Sequence, residues 1–532
     1  MASNSKNIQY DDFGKGLNLF TRDTMLKENE SAEGFNIWAT GKNSIKKRSG
    51  IAKLCTISGM DQIDGLGTYY AGTTRKLLAM AGGRLYEVQT GTAVQVTGSP
   101  ASAQAVWTTK KRTDFCQAGG SVYIANGTEN IRKFDGTVVT EPTGSIKGKY
   151  LIFYKSCLWT AGEPTSGNET RLYRSGTAES GNLCNYTYDA TANPIAISKY
   201  VNQSDGQILN GFFKHQDYLY PVKARSMWRA SVGTDTYQFI TLEMIDPARG
   251  CDSHYSIDTV DNDNFMFNEQ GIFATGYEPN ILDQIRTNIV SLRIDTKIKA
   301  IQKSRLDEVV GMYFDNHYYL SYTSGGGTQN DTIMVYDRQR LGWWEFQVKN
   351  SAGTLTGANC ISDFKDSDGY TKLYFGSSTD GSIYYFDDTL KADDSYAITT
   401  KWRSKKFDFK DYAQMKFFFQ VVLYFGRTPG NITVNVYMDG ALAKSKTLTI
   451  GSSGFAGEGI GMIGVQKIGV GDGSLDVLDT GGGDFLKIPL NKMGRNVQIE
   501  IQDNTSDKGW ELNALEFQYK PLSNIFQPDT KT

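Results

Sequence analysis

TDFCQAGGSVYIANGTENIRKFDGTVVTEPTG, residues 113–144, decides the fold. It divides into TDFCQA, GSVYIANG, NIRKFDG and TVVTEPTG, short segments that end in Gly-Gly, Asn-Gly and Asp-Gly turns. Alternation within each segment gives a strand with one packed face on each side. Four such strands in about 40 residues are what one propeller blade requires.

The same phrase, a turn followed by apolar–Tyr alternation, recurs along the chain. It appears as AGGRLYEV (81–88), AGGSVYIANG (118–127), YKSCLWTAG (154–162) and KHQDYLYPV (214–222). It returns as NEQGIFATG (268–276), FDNHYYLSYT (314–323) and GYTKLYFGS (369–377). These repeats predict an all-β β-propeller of about seven blades, at 61–98, 104–143, 149–197, 204–245, 262–301, 307–348 and 356–388. Their irregular spacing leaves six to eight blades open, and unrelated hairpins in stacked sandwiches are the alternative. DRQRLGWWEF (337–346) reads as an outer strand carrying aromatics to a seam. One stretch departs from the pattern: in 280–304, Ile285, Ile289, Leu292, Ile298 and Ile301 predict an inserted helix of two to four turns.

The flanks differ in texture. Residues 1–60 read as an N-terminal arm with lead-in strands, and 61–388 as the propeller. Residues 389–532 open with KWRSKKFDFKDYAQMKFFFQVVLYFG and continue through ITVNVYM and VQIEIQ. Period-two alternation there predicts a C-terminal β-sandwich, interrupted by a long Gly-rich loop at 451–483. That loop is too Gly-rich to pack a stable core alone, and reads as a long loop extending from one end of the sandwich, ordered against a partner.

Composition narrows the function classes. The chain has 56 Lys and Arg against 58 Asp and Glu, a formal charge of −2, so nucleic-acid or membrane attraction must be local. Six cysteines in 532 residues, with no Cys-x-x-Cys pair, predict buried reduced thiols. MASNSKNIQYDDF lacks the organisation of a signal peptide, and no apolar run is long enough to span a bilayer, which predicts synthesis in a cytoplasm.

Catalytic and metal motifs are scarce. The three histidines, His215, His254 and His317, have no metal-ligand spacing, and no GxSxG, HExxH or phosphate-binding loop is present. SSTDGSIYY (377–385) shares an Asp-Gly turn with the Asp-box of sialidase blades but lacks its closing Trp, and reads as a hairpin turn. DFKDSDGYT (363–371) holds Asp366, Asp368 and Gly369 in partial calcium-loop order without the bidentate Glu, and reads as a surface turn. A glycosidase needs two carboxyls facing one cleft, which a sequence does not locate. The expectation is therefore no enzyme, no cofactor and no metal. Phosphate contact needs only clustered cations. The candidates are Lys42, Lys46, Lys47 and Arg48 in NIWATGKNSIKKRSGIAKL (36–54), and Lys110, Lys111 and Arg112.

The order of features at the N-terminus is familiar. GKGLNLFTRDTMLKENESAEGFNIWATGKNSIKKRSG runs from Gly-Leu-Asn through an acidic-polar stretch and an Asn-aromatic segment to a basic Arg-x-Gly turn before the first blade. With the Tyr-rich blades, DEVVGMYFDNHYYLSYT, VYDRQRLGWWEF and TTKWRSKKFDF, it resembles the propeller-forming tail nozzle (tail tubular) and tail hub proteins of short-tailed double-stranded DNA bacteriophages. The resemblance implies a virion (tail) protein, assembled in the bacterial cytoplasm as a homo-oligomeric ring, usually a hexamer. Such a ring continues the tail channel, helps retain packaged DNA and allows its ejection. It contacts tail adaptor, fibre or spike proteins, and DNA passes through it without sequence specificity. On this reading the seven cations line the channel. Two alternatives remain: a receptor-binding or distal tail protein recognising a host surface glycan, and a propeller glycan-active hydrolase.

Overall fold

The computed structural model describes residues 5–98, 107–232, 240–277, 285–366, 369–426, 430–450, 484–506 and 508–522. The chain is all-β, built from many small antiparallel sheets. It separates into two compact units: a mid-chain unit of Ile51–Ile333 and Ala352–Phe386, and a terminal unit of Met1–Gly50, Met334–Ser351 and Asp387–Thr532.

In the mid-chain unit, consecutive chain segments form consecutive sheets. The first is Gly65–Ala71, Thr74–Ala81, Arg84–Gln89 and Thr92–Gln95. The second is Asp114–Ala118, Ser121–Ala125, Arg132–Phe134 and Val138–Thr140, the segment that opened the sequence reading. The third contains Tyr150–Tyr154, Cys157–Ala161, Arg171–Thr177 and Ile197–Tyr200. Gly211–His215, Tyr218–Lys223, Ser226–Val232 and Ile240–Asp246 make the fourth. Asp258–Val260, Asp263–Asn268, Gly271–Tyr277 and Ile285–Ile289 make the fifth. The hairpin Val310–Phe314 with His317–Tyr322 occupies the sixth position. In the seventh, Ala358–Lys365, Thr371–Ser377 and Ser382–Asp387 are joined by Gly50–Thr56, the strand that leads into the unit.

First strands of neighbouring sheets lie side by side. Gly65–Ala71 contacts Asp114–Ala118, which contacts Tyr150–Tyr154, which contacts Gly211–His215. Asp258–Val260 contacts Val310–Phe314, which contacts Ala358–Lys365, which contacts Gly65–Ala71. Between sheets sit apolar clusters. Leu78, Met80, Val122, Ile124 and Phe134 join the first and second; Trp159, Leu172, Phe212 and Leu219 join the third and fourth. The second strands are apolar on both faces, so SVYIA and CLWTA are buried at every position. Close approach near the first strands demands a missing side chain at Gly67, where a Cβ would lie 2.4 Å from Phe115 Cγ. All six cysteines are buried and unpaired, and burial raises the thiols of Cys55 and Cys157 to about 11.

Two expectations are corrected. Residues 285–289 form the fourth strand of the fifth sheet, paired with Gly271–Tyr277, and short helical turns follow at Leu292–Ile294, Asp295–Lys299 and Lys303–Glu308; residues 280–284 of the expected helix lie outside the described residues. A spacing of four satisfies one face of a strand as well as one face of a helix, and Ile289 and Leu292 are exposed rather than packed on a core. Ile294, Ile298 and Ile301 are buried, and they supply the helical part of the pattern. The domain boundaries also differ from three consecutive blocks, because residues 1–50 and 334–351 cluster with 387–532.

The terminal unit has two sheets, and arm strands enter both. One runs Ile37–Ala39, Ile45–Lys47, Glu511–Pro521, Lys416–Phe425, Asp484–Gly494, with Lys6–Tyr10 also pairing Glu511–Pro521. The other runs Ser31–Phe35, Thr400–Ser404, Val497–Asp503, Gly430–Met438, Ala441–Ile450. Alternate residues Ile432, Val434 and Val436 are buried, as are Ile499, Ile501, Phe418 and Phe517. Tyr10, Phe407 and Phe517 cluster with ring centroids 4.6–6.0 Å apart, so the arm contributes to the aromatic core. VYDRQRLGWWEF also meets the arm here: Leu17 N–H donates to Trp343 O at 2.9 Å. Gly16, at φ 65°, leaves no room for a Cβ beside that carbonyl. The Gly-rich loop 451–483 lies outside the described residues.

Candidate functional site

The two Lys-Lys-Arg triplets are built quite differently. Lys47 ends the strand Ile45–Lys47 with its side chain fully buried in the terminal unit. Its ammonium donates to Asp503 Oδ2 at 2.7 Å, Thr505 O at 2.5 Å and Lys508 O at 3.0 Å, which uses all three N–H groups. Burial pulls its pKa down, and the bond to Asp503 opposes that. Arg48 is 1% exposed. Its Nε donates to Asn36 Oδ1 (2.8 Å), Nη1 to Ser49 O and Asp393 Oδ1 (both 2.8 Å), and Nη2 to Gln347 O (3.0 Å) and Asp393 Oδ2 (2.5 Å). Five donors meet five acceptors, with the guanidinium 5.6 Å from the Phe346 ring centroid.

These contacts remove Lys47 and Arg48 from the proposed channel residues. A fully paired, buried cation has no donor left for phosphate, and exposing one would leave Asp503 or Asp393 buried and unpaired. Lys42 is exposed and Lys46 half-buried beside them, so both keep charge at the surface of the terminal unit.

In the mid-chain unit the second triplet stays near the surface. Lys110 takes a left-handed conformation (φ 58°) and pairs with exposed Asp61 at 2.8 Å. Its backbone N–H donates to Asp64 Oδ2 at 3.3 Å. Lys111 is exposed. Arg112 is half-buried, with its guanidinium 5.3 Å from the Tyr255 ring centroid. Its Nη2 donates to Glu308 O at 2.5 Å and Asn359 Oδ1 at 3.2 Å, while buried Nη1 has no hydrogen-bond partner.

Arg112 borders two cavities. One, of about 290 Å³, is lined by Arg112, Asp114, His254, Tyr255, Asp258 and Cys360, among others on the first strands. Asp114 Oδ2 accepts from Leu151 N–H at 2.7 Å and lies 3.5 Å from His254 Nε2. Asp258 Oδ2 accepts from Tyr313 N–H at 2.7 Å, yet burial still raises its carboxyl to about 6. Asp64, close by Lys110, is likewise raised to about 6 by burial. The other cavity, of about 300 Å³, is lined by Lys110, Lys111, Arg112, Lys149, Asp307 and Glu308 with smaller neighbours.

Sequence reading missed Asp114, His254, Tyr255 and Asp258 as cavity residues. The available signal was positional: Asp114 and Asp258 each open the first strand of a sheet. His317 Nδ1 lies 2.5 Å from Asp315 O, and His215 Nδ1 lies 2.8 Å from Asn264 Nδ2. Asp366 caps its own turn by accepting from Tyr370 N–H at 3.0 Å and pairs with Lys372 at 2.9 Å; Asp368 lies outside the described residues. Among the described residues no group of three or more His, Cys, Asp or Glu is placed to hold a metal, and no helix is long and apolar enough to cross a membrane.

No family model matches the chain, and no curated protein does. Among solved structures, the exo-β-1,3-galactanase from Phanerochaete chrysosporium with galactose aligns at TM-score 0.27 and 12% identity, over 89% of this chain and 100% of that one. A variant of that enzyme with β-1,3-galactotriose aligns at 0.27 and 11%, over the same shares. The N-terminal domain of Nup159 aligns at 0.38 and 9%, over 66% of this chain and 98% of that one. These likenesses assign no activity or ligand to the chain. The expectation that the chain is not an enzyme is withdrawn, with glycan-cleaving proteins among the aligned structures. The missing motifs excluded only nucleophile elbows and metal centres, whereas a carboxyl pair leaves no fixed sequence spacing.

Proposed function

We propose that the protein is a structural component of the tail of a tailed double-stranded DNA bacteriophage. On this reading the mid-chain sheets close into a seven-bladed propeller, and the terminal unit is a β-sandwich. Copies of the chain, six by the resemblance, form a ring that continues the tail channel, helps retain packaged DNA, allows its ejection and anchors fibres or spikes. One observation carries the reading: the N-terminal segment that bears the resemblance is built into both sheets of the terminal unit and held there by two buried ion pairs. That is how a rigid part is made, and charge spent inside a fold is unavailable to ligands. Surface cations for DNA are then Lys42, Lys46, Lys110 and Lys111, acting without sequence specificity.

Light scattering and negative-stain imaging of the purified chain, alone and with a tail adaptor, test this. A six-fold ring supports it; a chain that stays monomeric with its tail partners rejects it. In assembled particles, replacing Lys42, Lys46, Lys110 and Lys111 with Gln should release DNA early while assembly proceeds.

A second reading, a glycan-active hydrolase, draws on the cavity that holds both Asp114 and Asp258. A carboxyl kept protonated to about pH 6 in a cavity that also holds a second carboxyl is an arrangement that acid–base glycoside cleavage can use. Release of sugar from β-1,3-galactan or related glycans, abolished by Asp258→Asn and by Asp114→Asn, would favour it over the tail reading.

A further inference from the structure

The second cavity beside Arg112 has the chemistry of an anion site. It lies wholly within the mid-chain unit and is independent of the tail reading, because no second copy is needed to complete it. Four cations line it, Lys110, Lys111, Arg112 and Lys149, against two carboxylates, Asp307 and Glu308. Glu308 pairs with Arg305, and Asp307, the other carboxylate, sits 4.0 Å from Lys149 Nζ at the edge of ion-pair range. Lys110 is occupied by Asp61. That leaves the cations Lys111, Arg112 and Lys149 around one cavity, with Asp307 as the lining carboxylate not already paired to a cation outside it.

Lys149 is the informative member. Its ammonium lies 5.2 Å from the Tyr150 ring centroid, and the side chain as a whole is 30% exposed. Burial lowers its pKa, and Arg112 and Lys111 lower it further by repulsion, with Asp307 and Glu308 opposing. Buried donors without acceptors are rare in folded proteins, and Arg112 Nη1 is one of them. A multiply charged anion would relieve the repulsion among the three cations. A single planar carboxylate suits one guanidinium fork, whereas several cations around one space suit a tetrahedral oxyanion.

We propose that Lys111, Arg112 and Lys149 form a binding site for a phosphoryl group in the cavity of about 300 Å³. Its source is either a small phosphate compound or the backbone of a nucleic acid. Calorimetric titration of the full chain with pyrophosphate tests the site, with sodium chloride at matched ionic strength as the control. Saturable binding is expected, weakened about tenfold by Lys149→Met and by Lys111→Gln, since a hydrogen bond to a charged group is worth about a decade or more in affinity. Lys111 is exposed, so its variant keeps the fold and guards against loss of binding through unfolding. A short DNA duplex that competes with pyrophosphate identifies the backbone as the source; binding of pyrophosphate alone identifies a small compound. Absence of saturable binding to either probe overturns the site, as does binding that neither substitution weakens.

Discussion

Lys46-Lys47-Arg48 and Lys110-Lys111-Arg112 are the same tripeptide with opposite fates. The first drives two of its three charges into the terminal unit, where Asp503 and Asp393 meet them across 456 and 345 residues of chain. The second holds two charges in water and aims only its arginine inward, with one nitrogen unanswered. The difference lies in the acceptors. A cation is buried where the fold supplies as many oxygens as it has N–H groups, and it remains at the surface elsewhere. A charge cluster read along the chain is therefore not yet a ligand site.

Breaking the first triplet gives the largest expected effect. Lys47→Met strands the Asp503 carboxylate in the terminal unit and should cost about 3–5 kcal/mol in urea unfolding, because one partner of a buried pair is left alone. Adding Asp503→Leu should recover most of that loss; a double variant as unstable as the single one would contradict this account of the pair.

Asp258 sharpens the contrast, since it is a half-buried carboxyl held by the backbone N–H groups of Tyr313 and Thr259 rather than by a cation. Its carboxyl, at about 6 in the fold against an ordinary 3.8, binds protons more tightly folded than unfolded. The favourable contribution is complete below about pH 4, fades as pH rises through about 6, and is absent above it. Asp258→Asn should remove this slope. The variant should thus gain on the parent by up to about 3 kcal/mol between about pH 4 and 7, read from unfolding curves across that range. A parallel pH profile for the two proteins would count against the burial of that charge.

Arg48→Lys preserves charge but cannot reproduce five bonds in one plane, and a loss of about 2 kcal/mol is expected from thermal unfolding. At the small end stands Lys110→Gln. Its partner Asp61 is as exposed as it is, so melting should not move measurably.

Much of the mid-chain unit was legible because its information is local. Turn pairs such as Gly119-Gly120 mark hairpins, and alternation marks which residues face a neighbouring sheet, so a series of small antiparallel sheets was readable. The error at 280–304 has the same local origin: Ile285 and Ile289 lie on one face in either geometry, and only the pairing with Gly271–Tyr277 settles which one forms. The terminal unit was hidden for the opposite reason. Whether Ser31–Phe35 is an arm or a sheet strand depends on Thr400–Ser404, and nothing near residue 31 records that partner. The cavity carboxyls were equally invisible, since Asp114 and Asp258 open the first strands of two different sheets and share a cavity only in the fold.

The pairing of Lys47 with Asp503 also sets a clock. With 456 residues between them and translation at roughly 5–20 residues per second, the lysine waits on the order of 20–90 s before its partner has been made. Throughout that interval the strand Ile45–Lys47 also lacks its partner Glu511–Pro521, although the mid-chain sheets are already emerging in order. A polypeptide that stops short of Val497–Asp503 leaves its own beginning unfinished, which makes the start of the molecule a sensor of whether translation has reached that strand.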